Sequence, residues 1–323
     1  MRKILAVLMA GALAAALASC AKKQSPQEKA AEKPLVAFVT NNVSNFWAIA
    51  AAGVSQGEKD FNVKCLVRKP AQGTATEQKT ILEDLVVRGV TGIAISPVDP
   101  ANQTDILNKT AASVNLICHD SDAPESNRLC YLGTDNYKAG LAAGAEIKKA
   151  LPNGGKVMLF VGTLDALNAV ERRRGIFDAI KGSKIKIVGT LTDNADHAKA
   201  KSNVEDALVK YPDIAGLMGL WSYNGPAIAE AVKAAGKQGK VKIVCFDEEQ
   251  GTLQAVKDGV ISSTVVQQPY EFGYQSTRVL GALARGEDAG IPENKIIDIP
   301  VKVINKSNVD AFWAELNKRI GKK

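Results

Sequence analysis

The sequence predicts an α/β fold built from two doubly wound, parallel-sheet lobes. Three observations predict it. From Leu35 onward, short apolar runs alternate with amphipathic stretches, the order of parallel sheets covered by helices on both faces. Ten such runs suit two sheets of about five strands better than one sheet. The halves also echo each other: "GIAISPVDP" and "GLMGLWSYNGP" both read glycine, apolar strand, polar turn, proline, helix. A length of 323 residues fits about two domains, and 46% hydrophobic content is ample for their cores.

The runs follow one another along the chain. They are LVAFV at 35–39, VKCLV at 63–67, TGIAIS at 91–96, VNLICHD at 114–120 and LCYLGTD at 129–135. Then come KVMLFVG at 156–162, KIVGTL at 186–191, IAGLMGLW at 214–221, KIVCFD at 242–247 and SSTVVQQ at 262–268. Between most of them lies a helix-like segment, such as Thr76 to Arg88 or Lys199 to Lys210. The stretch at 307–323 predicts one more amphipathic helix, with Phe312, Trp313 and Leu316 turned inward onto a lobe.

The chain begins with a basic Met1-Arg2-Lys3 and an apolar segment from Ile4 to Ala18. That segment is shorter than the roughly 20 residues of a membrane-spanning helix and has the form of a secretory signal at 1–19. It ends "LASC", which resembles a bacterial lipobox, so cleavage before Cys20 and lipidation of its sulfur are expected. Residues 20–34 are rich in Lys, Glu, Gln and Pro without an apolar run, the composition of a flexible tether from membrane to domain. The net charge of +7 is partly carried by the termini, and no aromatic-interleaved basic stripe points to nucleic acid. Cys65, Cys118, Cys130 and Cys245 fit no metal spacing and lie in or beside apolar runs, where buried free thiols are expected. Oxidation of Cys118 with Cys130 stays open for an exported chain.

In open α/β sheets, ligands sit outside the carboxyl ends of the strands. The residues there are a set of carboxylates, amides, hydroxyls and aromatics. The first loop combines Thr40, Asn41, Asn42 and Ser44 with Phe46 and Trp47 in a chain of only 5% aromatics. A core would want the aromatics without the amides, and a plain surface loop the reverse. Stacking platforms for an apolar sugar face, with amides for its hydroxyls, explain both. Ser44 is also placed to cap the helix that follows. Later strand ends offer His119 and Asp120, the segment Thr163 to Asn168, Asp193 with Asn194, Trp221 to Asn224, Asp247 with Glu248, and Gln267 with Gln268. Arg172 and Arg173 stand one turn ahead of Ile176 and Phe177 on the apolar face, early in a helix, where the dipole disfavours a cation. An anionic or hydroxyl-rich partner would offset that. The only histidines are His119 and His197, with no HExxH, no Walker loop and no GxSxG motif, so neither a metal nor an enzymatic reaction is expected.

From about Leu35 to Asn308 the chain resembles the type I periplasmic sugar-binding proteins of ABC importers, close to the ribose-binding group. The motifs that carry this, in shared order, are "NFW…G", "LEDLVVRGVTGIAISPVDP", "HDSD" then "GTDNYKAG", "ERRRG", "YPDIAGLMGLWSYNGPAIAEAV", "IVCFD" and "TVVQQPYEFG". The resemblance implies two lobes that close on a sugar about a hinge of three crossings, near Thr134-Asp135, Gln267-Gln268 and Asp298. The lobes would then be 35–134 plus 268–297 and 135–267 plus 298–323. It implies ligand contacts at Thr40, at Ser44 or Asn45, and at Phe46, Trp47, Asp120, Arg172, Asp247 and Gln267, to which the first-loop amide of Asn41 is added. Three family positions depart: the Arg beside Asp120 is Ser121, a stacking Phe is replaced near Asp196, and the amide of a "QND" motif becomes Trp221-Ser222, with Asn224 as stand-in and Trp221 as a further contact. About half the pocket therefore matches ribose binding. The implied partners are a monosaccharide and permease subunits, with the membrane reached through the lipid, no cofactor, and a monomeric chain. A sugar receptor for chemotaxis or a sensor kinase would use the same cleft and is the alternative. The effector domain of a repressor is disfavoured by the export signal, and a glycan-processing enzyme would turn its sugar over.

Overall fold

The computed structural model describes residues 33–321; the leader, Cys20 and most of the tether lie outside the described residues. The first sheet holds β1 (Leu35–Val39), β2 (Lys64–Arg68), β3 (Gly92–Ile95), β4 (Asn115–His119), β5 (Tyr131–Gly133) and β11 (Ile296–Asp298), all parallel, in the order β11-β5-β4-β3-β1-β2. The second holds β6 (Gly155–Val161), β7 (Ile185–Thr192), β8 (Ile214–Gly219), β9 (Lys242–Phe246), β10 (Ser263–Val266) and β12 (Lys302–Asn305), in the order β12-β10-β9-β8-β6-β7. Here only β12 is antiparallel, to β10. Apart from the edge strands β11 and β12, the two orders are the same after a shift of five strands. Strand order reverses between β1 and β3 and again between β6 and β8, and a crevice opens at such a reversal.

Each of the ten apolar runs forms a strand. The sequence reading lacks β11 and β12. They are three and four residues long and mix charged or polar with apolar residues; β11 is largely exposed and β12 buries only Ile304, so they leave no buried run to read. Each lies at a sheet edge and gains its strand form from the neighbour it pairs with.

The helices are α1 (Asn45–Asp60), α2 (Ala75–Val87), α3 (Pro100–Ala111), α4 (Asn136–Ala150), α5 (Leu167–Ile180), α6 (His197–Lys210), α7 (Asn224–Ala234), α8 (Gln250–Lys257), α9 (Pro269–Arg285) and α10 (Val309–Arg319). The chain passes between the sheets after β5, after β10 and between β11 and β12. Accordingly α4 packs on α5, β9 and β10, and α9 packs on α1, β1, β3 and β4. Both helix pairs approach closely through glycine. A Cβ on Gly53 or Gly273 would lie 1.9 Å or 2.0 Å from a carbonyl oxygen of the facing helix, and one on Gly140 or Gly175 would lie 2.2 Å or 2.3 Å from one. In α10, Val309 and Leu316 are buried against the second-sheet core, with Phe312 and Trp313 half-buried beside them.

All four described cysteines are free, Cys118 and Cys130 included. Burial raises every one of these thiols, Cys130 to about 11. They pack as small apolar side chains.

Candidate functional site

The loops after β1, β4, β6, β8, β9 and β10 converge on one cleft between the sheets, with about 290 Å³ of empty space. That figure counts the open mouth; the cavity proper is about 30 Å³, so a sugar ring enters only if the lining side chains move apart. The helices after five of those strands, α1, α5, α7, α8 and α9, begin without a side-chain cap, Ser44 at α1 included. By contrast α2, α3, α4 and α6 are capped by Thr74, Asp99, Asp135 and Asp196. Except at α10, which also begins uncapped, side-chain caps are found away from the cleft, and the helices that start at it have none.

Asp120 and Asp247 follow β4 and β9, the corresponding strands of the two sheets. Both are buried, and both have left-handed backbones, with φ of 59° and 69°. Asp120 is held by its own carbonyl oxygen, which accepts from Tyr131 Oη at 3.0 Å and Asn136 Nδ2 at 3.1 Å. Its Oδ2 accepts from Ser96 Oγ at 2.7 Å, Asn168 Nδ2 at 3.1 Å and Asn41 Nδ2 at 3.3 Å. Asp247 is fixed by Thr264 Oγ1, which donates to its carbonyl at 2.7 Å, while Gln267 Nε2 donates to its Oδ1 at 3.0 Å. Burial pushes both carboxyls up, Asp247 to about 6, and the Arg172 guanidinium pulls both back.

Arg172 is 1% exposed. Its Nε donates to Asn136 Oδ1 at 2.9 Å, its Nη1 to the Leu220 carbonyl at 2.6 Å, and its guanidinium lies 4.5 Å from the Phe246 ring centroid. The early helix position that disfavours a cation is thus offset by two buried carboxylates and a stacking ring.

Trp47 lines the cleft but is also core. Only 2% exposed, it packs edge-on to Phe46 at 4.8 Å and donates from Nε1 to Asn41 Oδ1 at 3.0 Å. That hydrogen bond turns the Asn41 amide so that its Nδ2 meets Asp120. His119 stacks on Phe38 at 4.0 Å and hydrogen-bonds the Val39 carbonyl through Nε2 at 3.1 Å. Burial lowers its pKa to about 3, which makes it a neutral packing ring.

Of the residues singled out in the sequence, Asn41, Ser44, Phe46, Trp47, Asp120, Arg172, Trp221, Asp247 and Gln267 line the cleft. Thr40 and Asn224 do not. Thr40 is fully buried, and its Oγ1 closes the turn by donating to the Asn42 carbonyl at 2.8 Å. Asn224 stands behind the wall: its Oδ1 accepts from the Trp221 amide at 3.0 Å and its Nδ2 donates to Asp193 Oδ2 at 3.1 Å. Asn224 is thus a positioning residue for Trp221, and the Tyr223 hydroxyl donates to the same Asp193. Asn42, Asn168, Ser222 and Tyr223, which the sequence offers at strand ends but not among the expected ligand contacts, line the cleft as well. The signal for Asn168 was its place just after a strand end, one turn ahead of Arg172.

A family model described as "Periplasmic binding protein domain" matches residues 36–288. The chain belongs to that family. Its members are extracytoplasmic binding proteins rather than enzymes. Among known proteins, this periplasmic binding protein is 27% identical over 260 residues to the ribose import binding protein of Bacillus subtilis (strain 168), covering 80% of this chain and 82% of that one. It is similar to an ABC transporter solute-binding protein from Burkholderia graminis C4D1M solved with D-arabinose, with a TM-score of 0.81, 31% identity, and 86% and 97% of the two chains covered. GanP, a glucose-galactose binding protein from Geobacillus stearothermophilus, matches with a TM-score of 0.80, 27% identity, and 86% and 99% coverage.

The cleft of this periplasmic binding protein leaves both donors and acceptors unpaired. Arg172 Nη2 and Trp221 Nε1 are buried donors without partners; Asn42 Oδ1, Asn168 Oδ1 and Gln267 Oε1 are buried acceptors without partners. A hydroxyl both donates and accepts, so a ring carrying several hydroxyls satisfies such a mixture, whereas a purely anionic or cationic ligand would not. Among the described residues, no cluster of His, Cys, Asp or Glu is placed to hold a metal ion.

Proposed function

We propose that this protein is the solute receptor of a carbohydrate ABC importer, closing on a neutral monosaccharide and presenting it to the permease. The observation that carries the reading is the convergence of Asp120 from the first lobe with Arg172 and Asp247 from the second, amid unpaired donors and acceptors and under Phe46, Trp47 and Trp221. The two carboxylates accept from sugar hydroxyls, the Arg172 fork donates, and the aromatic edges cover the apolar face of the ring. Asn41, Ser44 and Gln267 complete the set. Relatives named for ribose and a structure solved with D-arabinose support a pentose or a related sugar as cargo.

The lobes are 35–134 plus 268–297 and 135–267 plus 298–323. A ligand that touches both can do so only when they are shut, so binding draws the population into the closed form that docks on the permease. The monomeric receptor is tethered outside the cytoplasm by residues 20–34 and a lipid on Cys20. The test is a calorimetric titration against pentoses, hexoses, deoxysugars and polyols, repeated with Asp247→Ala and Arg172→Ala. One tight ligand at 1:1 stoichiometry, lost in both variants, supports the reading; silence across the panel removes the simple-sugar claim and leaves the fold intact. Radiolabelled palmitate incorporation, abolished by Cys20→Ala, tests the anchor.

A further inference from the structure

The cleft continues past Trp221 into an outer chamber. Asn41, Asn42 and Trp221 line both spaces, so the two chambers share a wall. The outer one has about 780 Å³ of empty space, counting its mouth, against about 290 Å³ for the inner. Its remaining walls come from both lobes: Gln72 and Thr74 before α2 on one side, Thr163, Asp165 and Asn194 after β6 and β7 on the other.

Two features mark it as more than a gap left by loops. Trp221 Nε1 and Asn42 Oδ1, both on the shared wall, are buried and without partners, one donor and one acceptor at the junction. The Trp221 ring is also deliberately seated. A Cβ on Gly162 would lie 2.0 Å from it, so only glycine leaves the ring room, and Asn224 holds its backbone amide. The lining repeats the inner chemistry of amides, hydroxyls and an aromatic. Asp165 is its one charged side chain, with no Lys, Arg or His, which disfavours a phosphate or carboxylate there and favours neutral hydroxyls.

We propose that the cleft accepts a neutral ligand longer than one sugar ring, with the first ring among Asp120, Arg172 and Asp247 and a second ring or glycosidic substituent in the outer chamber, joined beside Trp221. This rests on the carbohydrate-receptor reading and names a larger substrate class for the same site.

The test is calorimetry on the purified protein with D-ribose, D-arabinose, D-xylose, D-allose, D-glucose and D-galactose. Each is compared with its α- and β-phenyl glycosides and with disaccharides carrying it at either end. Gln72→Trp and Thr163→Trp fill the outer chamber from opposite lobes without touching the inner one. The expected result is an extended ligand that binds at least as tightly as its parent sugar. In both variants it loses about tenfold or more while the parent stays within about threefold. If a parent sugar binds and every extended ligand fails, or if both variants leave extended-ligand binding unchanged, the chamber is only a solvent entrance; the proposal falls and the receptor reading stands. If no ligand of either length binds, both fall together.

Discussion

Asp120 and Asp247 each carry a buried carboxylate on a left-handed backbone. Aspartate tolerates that conformation better than most residues, but holding it still costs about 1–3 kcal/mol in a fixed site. For Asp247 there is a second cost, because burial raises its pKa from the usual 3.8 to about 6. The native state therefore holds a proton more tightly than the unfolded chain. Its contribution to stability is greatest below the ordinary carboxylate range, falls as pH rises from about 4 to about 6, and then levels off. Ligand binding runs the other way, since the ionised carboxylate is the better acceptor for hydroxyls. We expect affinity for the cognate sugar to be flat above about pH 7 and to weaken as pH falls through about 6, read by calorimetry from pH 5 to 8. We expect Asp247→Asn to keep the Gln267 contact, weaken sugar binding by about 10- to 100-fold and raise the melting temperature at pH 7.5. A variant that binds normally would remove Asp247 from the site. At this scale the residue types were legible and their directions were not. Thr40 and Asn224 have the right chemistry at strand ends, yet their hydrogen bonds go to the Asn42 carbonyl and to Asp193, and no sequence pattern encodes which way a short polar side chain turns.

The elements set these side chains by backbone contact. Arg172 reaches the cleft because α5 lies almost against α4, with Gly140 and Gly175 at the crossing; a Cβ on Gly140 would be 2.2 Å from the Arg172 carbonyl oxygen. Gly140→Ala should push α5 away, destabilise the fold by about 1–3 kcal/mol and weaken sugar binding through displaced Arg172. The control is Asp196→Ala, which removes the cap that accepts from Ala198 and Lys199 at the start of α6. It should cost about 1 kcal/mol in chemical denaturation and leave affinity unchanged. If Gly140→Ala loses stability alone, the helix crossing does not govern the site. The elements themselves were legible wherever burial on both faces forced an apolar run, as in LVAFV and KVMLFVG. β11 and β12 were not, because their strand form comes from pairing with β5 and β10 rather than from their own residues.

At the scale of the molecule, affinity is a property of closure as well as of contacts. Asn168, in the second lobe, donates to Asp120 in the first at 3.1 Å, and Gln268 at one crossing donates to the Pro300 carbonyl near another at 2.7 Å. A third link lies outside the cleft: Arg319 of α10, carried on the second sheet, meets Glu271 of α9 at 2.9 Å and faces the Tyr270 ring. The repeated strand order let two lobes be read from sequence, but a lobe-to-lobe contact such as this joins residues 48 apart in different elements and leaves no periodic trace. If the observed affinity is the intrinsic one scaled by the closed fraction, loosening this link must weaken every ligand by the same factor. The pair is partly exposed, with side chains 38% and 26% accessible, so screening keeps the effect to about 1 kcal/mol or less. We therefore expect Arg319→Ala to weaken a tight and a weak sugar alike by no more than about fivefold. The sugar-bound radius of gyration in X-ray scattering should be unchanged and the free one equal or larger. Glu271→Ala should do the same, and the double variant no more than either. A factor that differs between sugars would mean that α10 acts on the cleft itself, and an unchanged affinity in both variants would mean that the free protein's closure does not depend on this link.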